Sequence, residues 1–240
     1  MLGRGLEGWK EADLPIRSID ADADSAIAPR DPNALPSQSA HEHTFLPGLV
    51  ENYANQRELP LKRELAILFV DIADSTRAVV QKEPEEALAF VQRFMGIVTD
   101  AALAWCGDVK DYEGDGALLY FESVMEATQA AMAIRDSLAR EDPVEGTKLH
   151  ARLSLDVGSI VIGIIGTPMR RSVALIGPSI NMAARLLKEI PPDGIIATAA
   201  VVERLRQEAP GLADRFTLLE SRLVLKGFED ESVTAYSLRG

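Results

Sequence analysis

Hydrophobic residues recur along the chain at two spacings, which separate predicted strands from predicted helices. A continuous apolar run over Ile67–Val70 leads into Asp71 and is typical of a buried strand, placed at about Glu64–Ile72. The next stretch repeats apolar residues every three or four positions and predicts an amphipathic helix. The stripe of this helix consists of Ala87, Phe90, Val91, Phe94, Met95, Val98 and Ala102. Two short strands around a Gly-Asp-Gly turn are predicted within Gly107–Phe121.

The second half of the chain continues the same alternation. A second helix is predicted from the apolar face formed by Val124, Ala127, Ala131, Ile134 and Leu138. Residues 153–157 alternate as in a half-buried strand, and Ile160–Ile165 forms another apolar run. Pro178 is well placed as the first residue of a third helix, which runs through about Glu189. The last two predicted strands lie near Phe216–Leu225 and Ser232–Leu238.

The order of these elements indicates the fold class. Strand, helix, hairpin, helix and strand follow one another as in α+β proteins with a ferredoxin-like βαββαβ core, and we assign residues 61–240 to this domain. Residues 1–60 are predicted to form an N-terminal extension, because Ser25–Ala40 mixes Pro, Ala, Ser, Asp and Asn without periodicity. Within this irregular extension, Phe45–Tyr53 has the apolar spacing of a short helix.

Composition and charge narrow the classes of function. A chain of 240 residues that is 47% hydrophobic can bury a full core. Its formal net charge of −12 argues against a nucleic-acid partner, so local donors or metals must hold any phosphate ligand. Cys106 is the only cysteine, which argues against a disulfide framework or a thiolate metal cluster. The N-terminus lacks a signal-peptide core and Ile160–Gly166 is too short to span a bilayer, so we expect a cytoplasmic protein without membrane insertion.

The end of the first predicted strand combines a carboxylate with a possible phosphate seat. Asp71 would face a ligand from a fixed backbone, and the turn and helix start after it would offer backbone N–H groups to a phosphate. This seat consists of Ile72, Ala73, Asp74, Ser75 and Thr76. Asp115 lies in the glycine-flanked hairpin, which should neighbour the first strand, so the two carboxylates can share a site for Mg²⁺ or Mn²⁺. The alternative is two independent turn aspartates.

Two polar segments near the C-terminus could complement this acidic site. Asn181 and Arg185 are i and i+4 on the third predicted helix, so they project from one face. An amide beside a guanidinium suits the orientation of a sugar and the stabilisation of charge on phosphorus. Lys226 follows the apolar run Leu223–Leu225 and could reach a phosphate. The alternatives are a solvent-facing pair and a plain surface lysine.

Four segments in order resemble one protein family. The segments FVDIADST, GDGALLYF, IGPSINMAARL and LVLKGF are similar to motifs of the class III nucleotidyl cyclase catalytic domain, over residues 63–238. The resemblance implies a homodimer with composite active sites that converts a nucleoside triphosphate to a 3′,5′-cyclic nucleotide. The ribose 3′-hydroxyl would attack the α-phosphate, and pyrophosphate would leave.

The same resemblance implies roles for individual residues. Two divalent cations, Mg²⁺ or Mn²⁺, would be held in one chain by Asp71 and Asp115, with Ile72 as a further metal contact. The other chain would supply the residues that act on the nucleotide. There, Asn181 would orient the ribose, Arg185 would stabilise the transition state and Lys226 would hold the terminal phosphates.

Two positions depart from the family pattern where relatives read a purine base. Asp111 replaces a usual lysine, and Ala174 replaces a usual Thr, Ser or Asp. Lys110 is adjacent, but strand alternation predicts that it points to the other face. Because Asp111 would accept a hydrogen from uracil or cytosine, we predict a pyrimidine pocket, with UTP ahead of CTP. The chain then resembles the stand-alone Pycsar-type pyrimidine cyclases of bacterial antiphage systems.

Two other functions remain open at this level. One is an adenylate cyclase that makes cyclic AMP, because adenine also offers an N6 amino group to Asp111. The other is a catalytically dead, nucleotide-binding regulatory module. The retained set of Asp71, Asp115, Asn181 and Arg185 counts against this module. The sequence names neither the activating signal nor the downstream effector that would read a cyclic nucleotide.

Overall fold

The computed structural model describes residues 60–75, 82–143, 147–167, 170–228 and 232–238. The predicted extension and its short helix fall on residues outside these ranges, apart from Pro60. Thr76, the last residue of the predicted phosphate seat, also falls outside them.

The described residues form eight strands and five α-helices. The strands are β1 (Leu61–Ile72), β2 (Asp108–Glu113), β3 (Gly116–Phe121), β4 (Ala151–Thr167), β5 (Arg170–Ile176), β6 (Ile195–Thr198), β7 (Phe216–Leu223) and β8 (Val233–Leu238). The helices are α1 (Pro84–Ala104), α2 (Val124–Arg140), α3 (Pro178–Leu186), α4 (Ala199–Glu208) and the short α5 (Pro210–Ala213). A 3-10 turn, Leu187–Glu189, extends α3.

One eight-stranded sheet organises the domain around β1. The strand order is β2-β3-β1-β4-β6-β8-β7, and β5 pairs with β4 off this path. β1 lies antiparallel to both β3 and β4, whereas β4 and β6 are parallel. The elements from β1 to β4 form a βαββαβ core, so the predicted α+β, ferredoxin-like fold class is confirmed.

The two faces of the sheet pack against different helices because side chains alternate along each strand. Leu68 and Val70 of β1 enter the main core with the apolar stripes of α1 and α2. Leu65 and Ile67 enter the opposite cluster, where Ala183 of α3 packs on the sheet. This second face carries the helix on which the predicted Asn181 and Arg185 lie.

Several elements differ from the sequence prediction. The two apolar runs predicted at 153–157 and 160–165 form one 17-residue strand, β4. Gly158 lies within this continuous strand. Its lack of a side chain makes room for the packed α3, because a Cβ there would overlap the Ser179 hydroxyl. β5, β6 and α4 were not predicted. β6 has only four residues, all buried, so its sequence shows no alternation to mark it as a strand.

Among the described helices, α1 is long and apolar enough to cross a membrane by length and composition. Its Phe90, Phe94 and Val98 are packed in the main core. Core helices of soluble proteins meet the same criterion, so this helix alone is a weak indication of a membrane span. The cytoplasmic location stays a prediction.

Candidate active site

The end of β1 and the β2–β3 turn form one acidic site. Asp71 pairs with Gly116 across the strands, and the Ile72 N–H donates to the Asp115 carbonyl at 3.1 Å. A Cβ on Gly116 would lie 3.0 Å from the Val70 carbonyl oxygen and 3.6 Å from the Asp71 carboxylate. Only glycine therefore allows the turn to approach the strand this closely without displacement.

The two carboxylates interact directly. The pKa of Asp71 is raised from 3.8 to about 6, first by burial and next by the negative charge of Asp115. A hydrogen bond between the two carboxyl groups acts in the same direction, while Arg152 and the Ile72 N–H oppose it. The structure therefore brings the two predicted aspartates together, and they are not independent turn residues. Both contribute only oxygen atoms, which suit a hard divalent cation.

The predicted phosphate seat is only partly free to bind an anion. The Ile72 N–H is used by Asp115, and the Ala73 N–H donates to the His150 carbonyl at 2.9 Å. The expectation that the whole turn offers free N–H groups is therefore wrong for these two residues. Asp74 adopts a left-handed conformation with φ of 58°, and helical geometry begins at the buried Ser75. Within the described part of the chain, no backbone hydrogen bond engages the Asp74 or Ser75 N–H.

Arg152 is a site residue that the sequence reasoning missed. It pairs with Asp71 across β1 and β4, and its Nη2 donates to Asp74 Oδ1 at 3.2 Å. Its Nε donates to the Ile190 carbonyl at 3.2 Å, which fixes the guanidinium beside the acidic site. The signal in the sequence is a cationic residue on a strand beside apolar neighbours. The strand register that places it opposite Asp71 is not readable from the sequence.

Asn181 and Arg185 lie on the outer side of α3, and Lys226 lies on a nearby turn. Ala183 and Leu186 of α3 are fully buried, whereas Asn181 is exposed and Arg185 is half-buried. Among the described residues, no side-chain hydrogen bond or ion pair engages Asn181 or Arg185. Lys226 is exposed in the turn before β8.

A small apolar cluster connects that turn to α3. Leu225, which precedes Lys226, is buried with Leu186 at the end of α3 and with Ile196 of β6. The Phe228 N–H donates to the Leu225 carbonyl at 2.9 Å and closes the turn, in which Gly227 has φ of 86°. Asn181 and Arg185 on α3 and Lys226 on the turn are therefore carried by elements that pack against each other.

The predicted base-reading positions lie on β2 and β5. The pairing of β2 with β3 shifts register between Val109 and Asp111. The Lys110 Nζ donates to Asp111 Oδ2 at 3.0 Å, although the Lys110 side chain is largely covered and the Asp111 side chain is exposed. That Lys110 leaves the strand on the face opposite Asp111 stays a prediction. Ala174 is buried on β5 opposite Gly163, and no described strand pairing places it beside Asp111.

The chain is similar in sequence to proteins of Mycobacterium tuberculosis. No protein-family model matches the chain. An uncharacterised protein of Mycobacterium tuberculosis is 30% identical over 156 residues, which cover 61% of this chain and 28% of that protein. A second uncharacterised protein from the same organism is 29% identical over 189 residues, covering 73% of this chain and 32% of its own length. The chain therefore spans about a third or less of the curated relatives it matches.

Solved structures with the same architecture decide the fold family. A bacterial light-regulated adenylyl cyclase superposes with a TM-score of 0.69 at 22% identity, covering 84% of this chain and 61% of that chain. The chain has the fold of a class III nucleotidyl cyclase catalytic domain. The guanylate cyclase domain of RhGC from Catenaria anguillulae, solved with GTP, gives 0.66 at 15% identity, covering 75% and 98%. The adenylyl cyclase CyaB from P. aeruginosa gives 0.66 at 18% identity, covering 76% and 97%.

Proposed function

We propose that this class III cyclase-fold protein is a nucleotidyl cyclase that converts a nucleoside triphosphate to a 3′,5′-cyclic nucleotide and pyrophosphate. The observation that carries the proposal is the contact between Asp71 and Asp115. Two carboxylates held together by backbone pairing, one of them with a pKa raised to about 6, destabilise the protein unless a cation neutralises them. A purely structural turn would have no need of this pair.

The donor set fits two divalent cations, Mg²⁺ or Mn²⁺. The carboxylates of Asp71 and Asp115 would hold them, with Ile72 as a further contact, and all of these residues can offer oxygen ligands. When bound, the cations would favour ionisation of the ribose 3′-hydroxyl and offset the charge of the triphosphate. Arg152 is fixed beside Asp71 and can donate to a phosphate oxygen. Asp74, Ser75 and Thr76 complete the proposed phosphate seat, together with Ala73 as a structural member.

The remaining reacting groups are proposed to come from the partner subunit of a homodimer. Asn181 and Arg185 face away from the sheet on which α3 packs, so they are available to a second chain. Asn181 would hydrogen-bond the ribose, and Arg185 would stabilise negative charge that develops on the α-phosphate. Lys226 would bind the terminal phosphates. Each dimer would then hold two composite sites.

For the base we propose a pyrimidine, UTP ahead of CTP. Asp111 is an exposed acceptor, and its carboxylate is oriented by Lys110 at 3.0 Å. Ala174 offers no side-chain hydrogen bond at the second position. In such a pocket, the Asp111 carboxylate would accept a hydrogen bond from uracil N3–H or cytosine N4–H₂. The use of the product as a second messenger in antiphage defence rests on the family resemblance alone.

The second candidate is a purine nucleotide, above all ATP. Lys110 and Asp111 together present one donor and one acceptor, which is the complement of the N1 and N6 positions of adenine. The solved structures described above are adenylyl and guanylyl cyclases. A non-catalytic nucleotide-binding regulator is the third candidate, and the acidic pair counts against it.

Incubation with each of the four ribonucleoside triphosphates and Mn²⁺, followed by mass spectrometry, tests the proposal. We expect UTP or CTP to be cyclised at least about tenfold faster than ATP or GTP, because the bound nucleotide would cover Asp111 and a wrong base would leave this carboxylate without its hydrogen-bond donor. Asp111→Ala should lower the rate at which UTP and CTP are cyclised. Lys110→Ala, which removes the ion-pair partner of Asp111, is the matched comparison. Cyclic AMP as the main product would replace the pyrimidine pocket with an ATP pocket. Absence of any cyclic product would contradict cyclase activity.

A further inference from the structure

A buried carboxylate that the proposed reaction does not use lies beneath α3. Asp156 of β4 has 7% of its surface exposed, and the Thr198 hydroxyl donates to its Oδ1 at 2.6 Å. The Ser179 hydroxyl and the Val157 backbone N–H also lie near enough to this carboxyl to lower its pKa. Desolvation raises the pKa more than Thr198, Val157 and Ser179 together lower it. The group is therefore buried at a cost and compensated by dedicated donors.

Both hydroxyl partners belong to the beginnings of helices. Thr198 is the N-cap residue of α4, yet its side chain makes no capping hydrogen bond because it turns to Asp156. Ser179 lies in the first turn of α3, directly after Pro178. Asp156 thus links the first turn of α3 to the junction of β6 and α4. We call this group of three side chains, Asp156, Ser179 and Thr198, the α3 clamp.

Glycines make the contact between α3 and β4 unusually close. A Cβ at Gly158 would overlap the Ser179 hydroxyl oxygen. A Cβ at Gly177, the N-cap of α3, would lie 2.6 Å from both the Ile160 side chain and the Ser159 carbonyl oxygen. The first turn of α3 is therefore packed directly on β4, at positions where an added side chain would push the two apart.

The clamp lies apart from the acidic site and close to the basic residues of α3. Asp156 pairs with Ile67, four positions before Asp71 on β1, so it is not placed with the metal-binding pair. Asn181 follows Ser179 by two residues, and Arg185 lies one turn further along the same helix. For stability alone, an apolar residue would fill the position of Asp156 at lower cost. A buried carboxylate with polar neighbours on two elements instead specifies one orientation of the helix.

We propose that Asp156 is a positioning residue, which holds the first turn of α3 against β4 and β6 and thereby orients Asn181 and Arg185 toward the nucleotide. This inference rests on the proposed cyclase function. Because Asp156 acts through the helix and does not touch the nucleotide, its loss should reduce the chemical step more than nucleotide binding. The triphosphate is held mainly by the acidic site and its cations, which the clamp does not contact.

The test compares two buried threonines. Thr198→Val removes the hydroxyl from the clamp at nearly constant volume. Thr128→Val is the matched control, because the buried Thr128 hydroxyl donates to the Val124 carbonyl at 2.7 Å within α2, on the other face of the sheet. We expect Thr198→Val to lower kcat about ten- to a hundredfold while KM changes less than about threefold, as for a small misplacement of reacting groups. Thr128→Val should lose less thermal stability, because its hydroxyl donates to a neutral carbonyl, and it should keep its kcat. Equal kcat values in the two variants would overturn the proposal.

A second pair of measurements separates this inference from the proposed function. Asp156→Asn keeps one acceptor oxygen, so it should retain more kcat than Asp156→Ala at a temperature where both are folded. Hydrogen exchange of the α3 backbone amides should be faster in Thr198→Val than in the wild type, with β1 amides unchanged. Unchanged α3 exchange would contradict the clamp even if the enzyme is active. A wild type that cyclises no nucleotide would contradict the proposed function, while the exchange result would still decide whether the clamp exists.

Discussion

The two halves of the proposed active site are built in opposite ways. The acidic half, at the end of β1 and the β2–β3 turn, is closed by backbone hydrogen bonds and by a glycine that admits no side chain. The half formed by α3 and the turn at Lys226 is anchored from below, while its functional side chains face outward. One half is assembled within the chain, and the other presents side chains that have no partner among the described residues.

This difference separates metal binding from catalysis. Asp71 and Asp115 need no second chain to meet, so cation affinity should be a property of the monomer. Asn181 and Arg185 have no partner within the described residues of their own chain, so turnover should require a dimer. Each half can therefore be tested without disturbing the other.

The largest expected effect comes from breaking the acidic half. Asp71→Asn or Asp115→Asn should lower turnover roughly a thousandfold or more, since the bound cations supply several kcal/mol of transition-state stabilisation. The measurement is cyclic-nucleotide formation at saturating Mg²⁺ or Mn²⁺. Asp136→Asn is the control, because Asp136 is an exposed carboxylate on α2 whose ion-pair partner among the described residues is Arg135. Near-normal turnover of either site variant would contradict the two-metal assignment.

The next largest effect is expected when the intact acidic half and the intact α3 half are supplied by different chains. Asp71→Asn and Arg185→Ala should each be inactive as homodimers. In a mixed dimer, the intact acidic half of one chain meets the intact α3 of the other and restores one of two sites. Random co-refolding of equal amounts should therefore recover about a quarter of wild-type activity, because half the dimers are mixed. Mixed dimers that form but stay inactive would show that each site lies within one subunit.

The smallest effect concerns the metal-free acidic half. The pKa of Asp71 is 3.8 in the unfolded chain and about 6 in the folded one, so the folded state binds more protons between these values. The free energy of unfolding therefore falls as the pH rises through this window, and the full cost is present above it. Asp71→Asn removes this cost and should be about 1–2 kcal/mol more stable than the wild type near pH 8, after allowance for solvent screening.

Denaturant unfolding in the presence of EDTA measures this difference. The advantage of the variant should disappear below about pH 4, where both states of the wild type are protonated. Added Mg²⁺ should stabilise the wild type and leave the variant nearly unchanged. An equal response of the two proteins to Mg²⁺ would contradict metal binding by Asp71.

The sequence predicts the parts of the fold that repeat apolar residues at a regular spacing. β1, α1, the hairpin and α2 lie where their periodicity places them, and the element order alone made Asp71 and Asp115 neighbours. The site residues that depend on register were not predictable. Arg152 faces the acidic pair only because of the pairing of β1 with β4. The register shift between Val109 and Asp111, beside the Lys110–Asp111 ion pair, is likewise not marked in the pattern of neighbouring residues.

The long strand β4 connects the acidic site to the β4–β5 hairpin without a break. The strand begins at Ala151, next to Arg152, and pairs with β1 as far as Ile162. It then pairs with β5 from Val161 to Thr167, so no loop separates the sheet from the projecting β4–β5 hairpin. At about 3.3 Å per residue, this is a rod of about 55 Å that is braced along its whole length. The exposed Ile164 and Ile165 of the hairpin therefore lie on the same continuous strand as Arg152, whose guanidinium is beside Asp71.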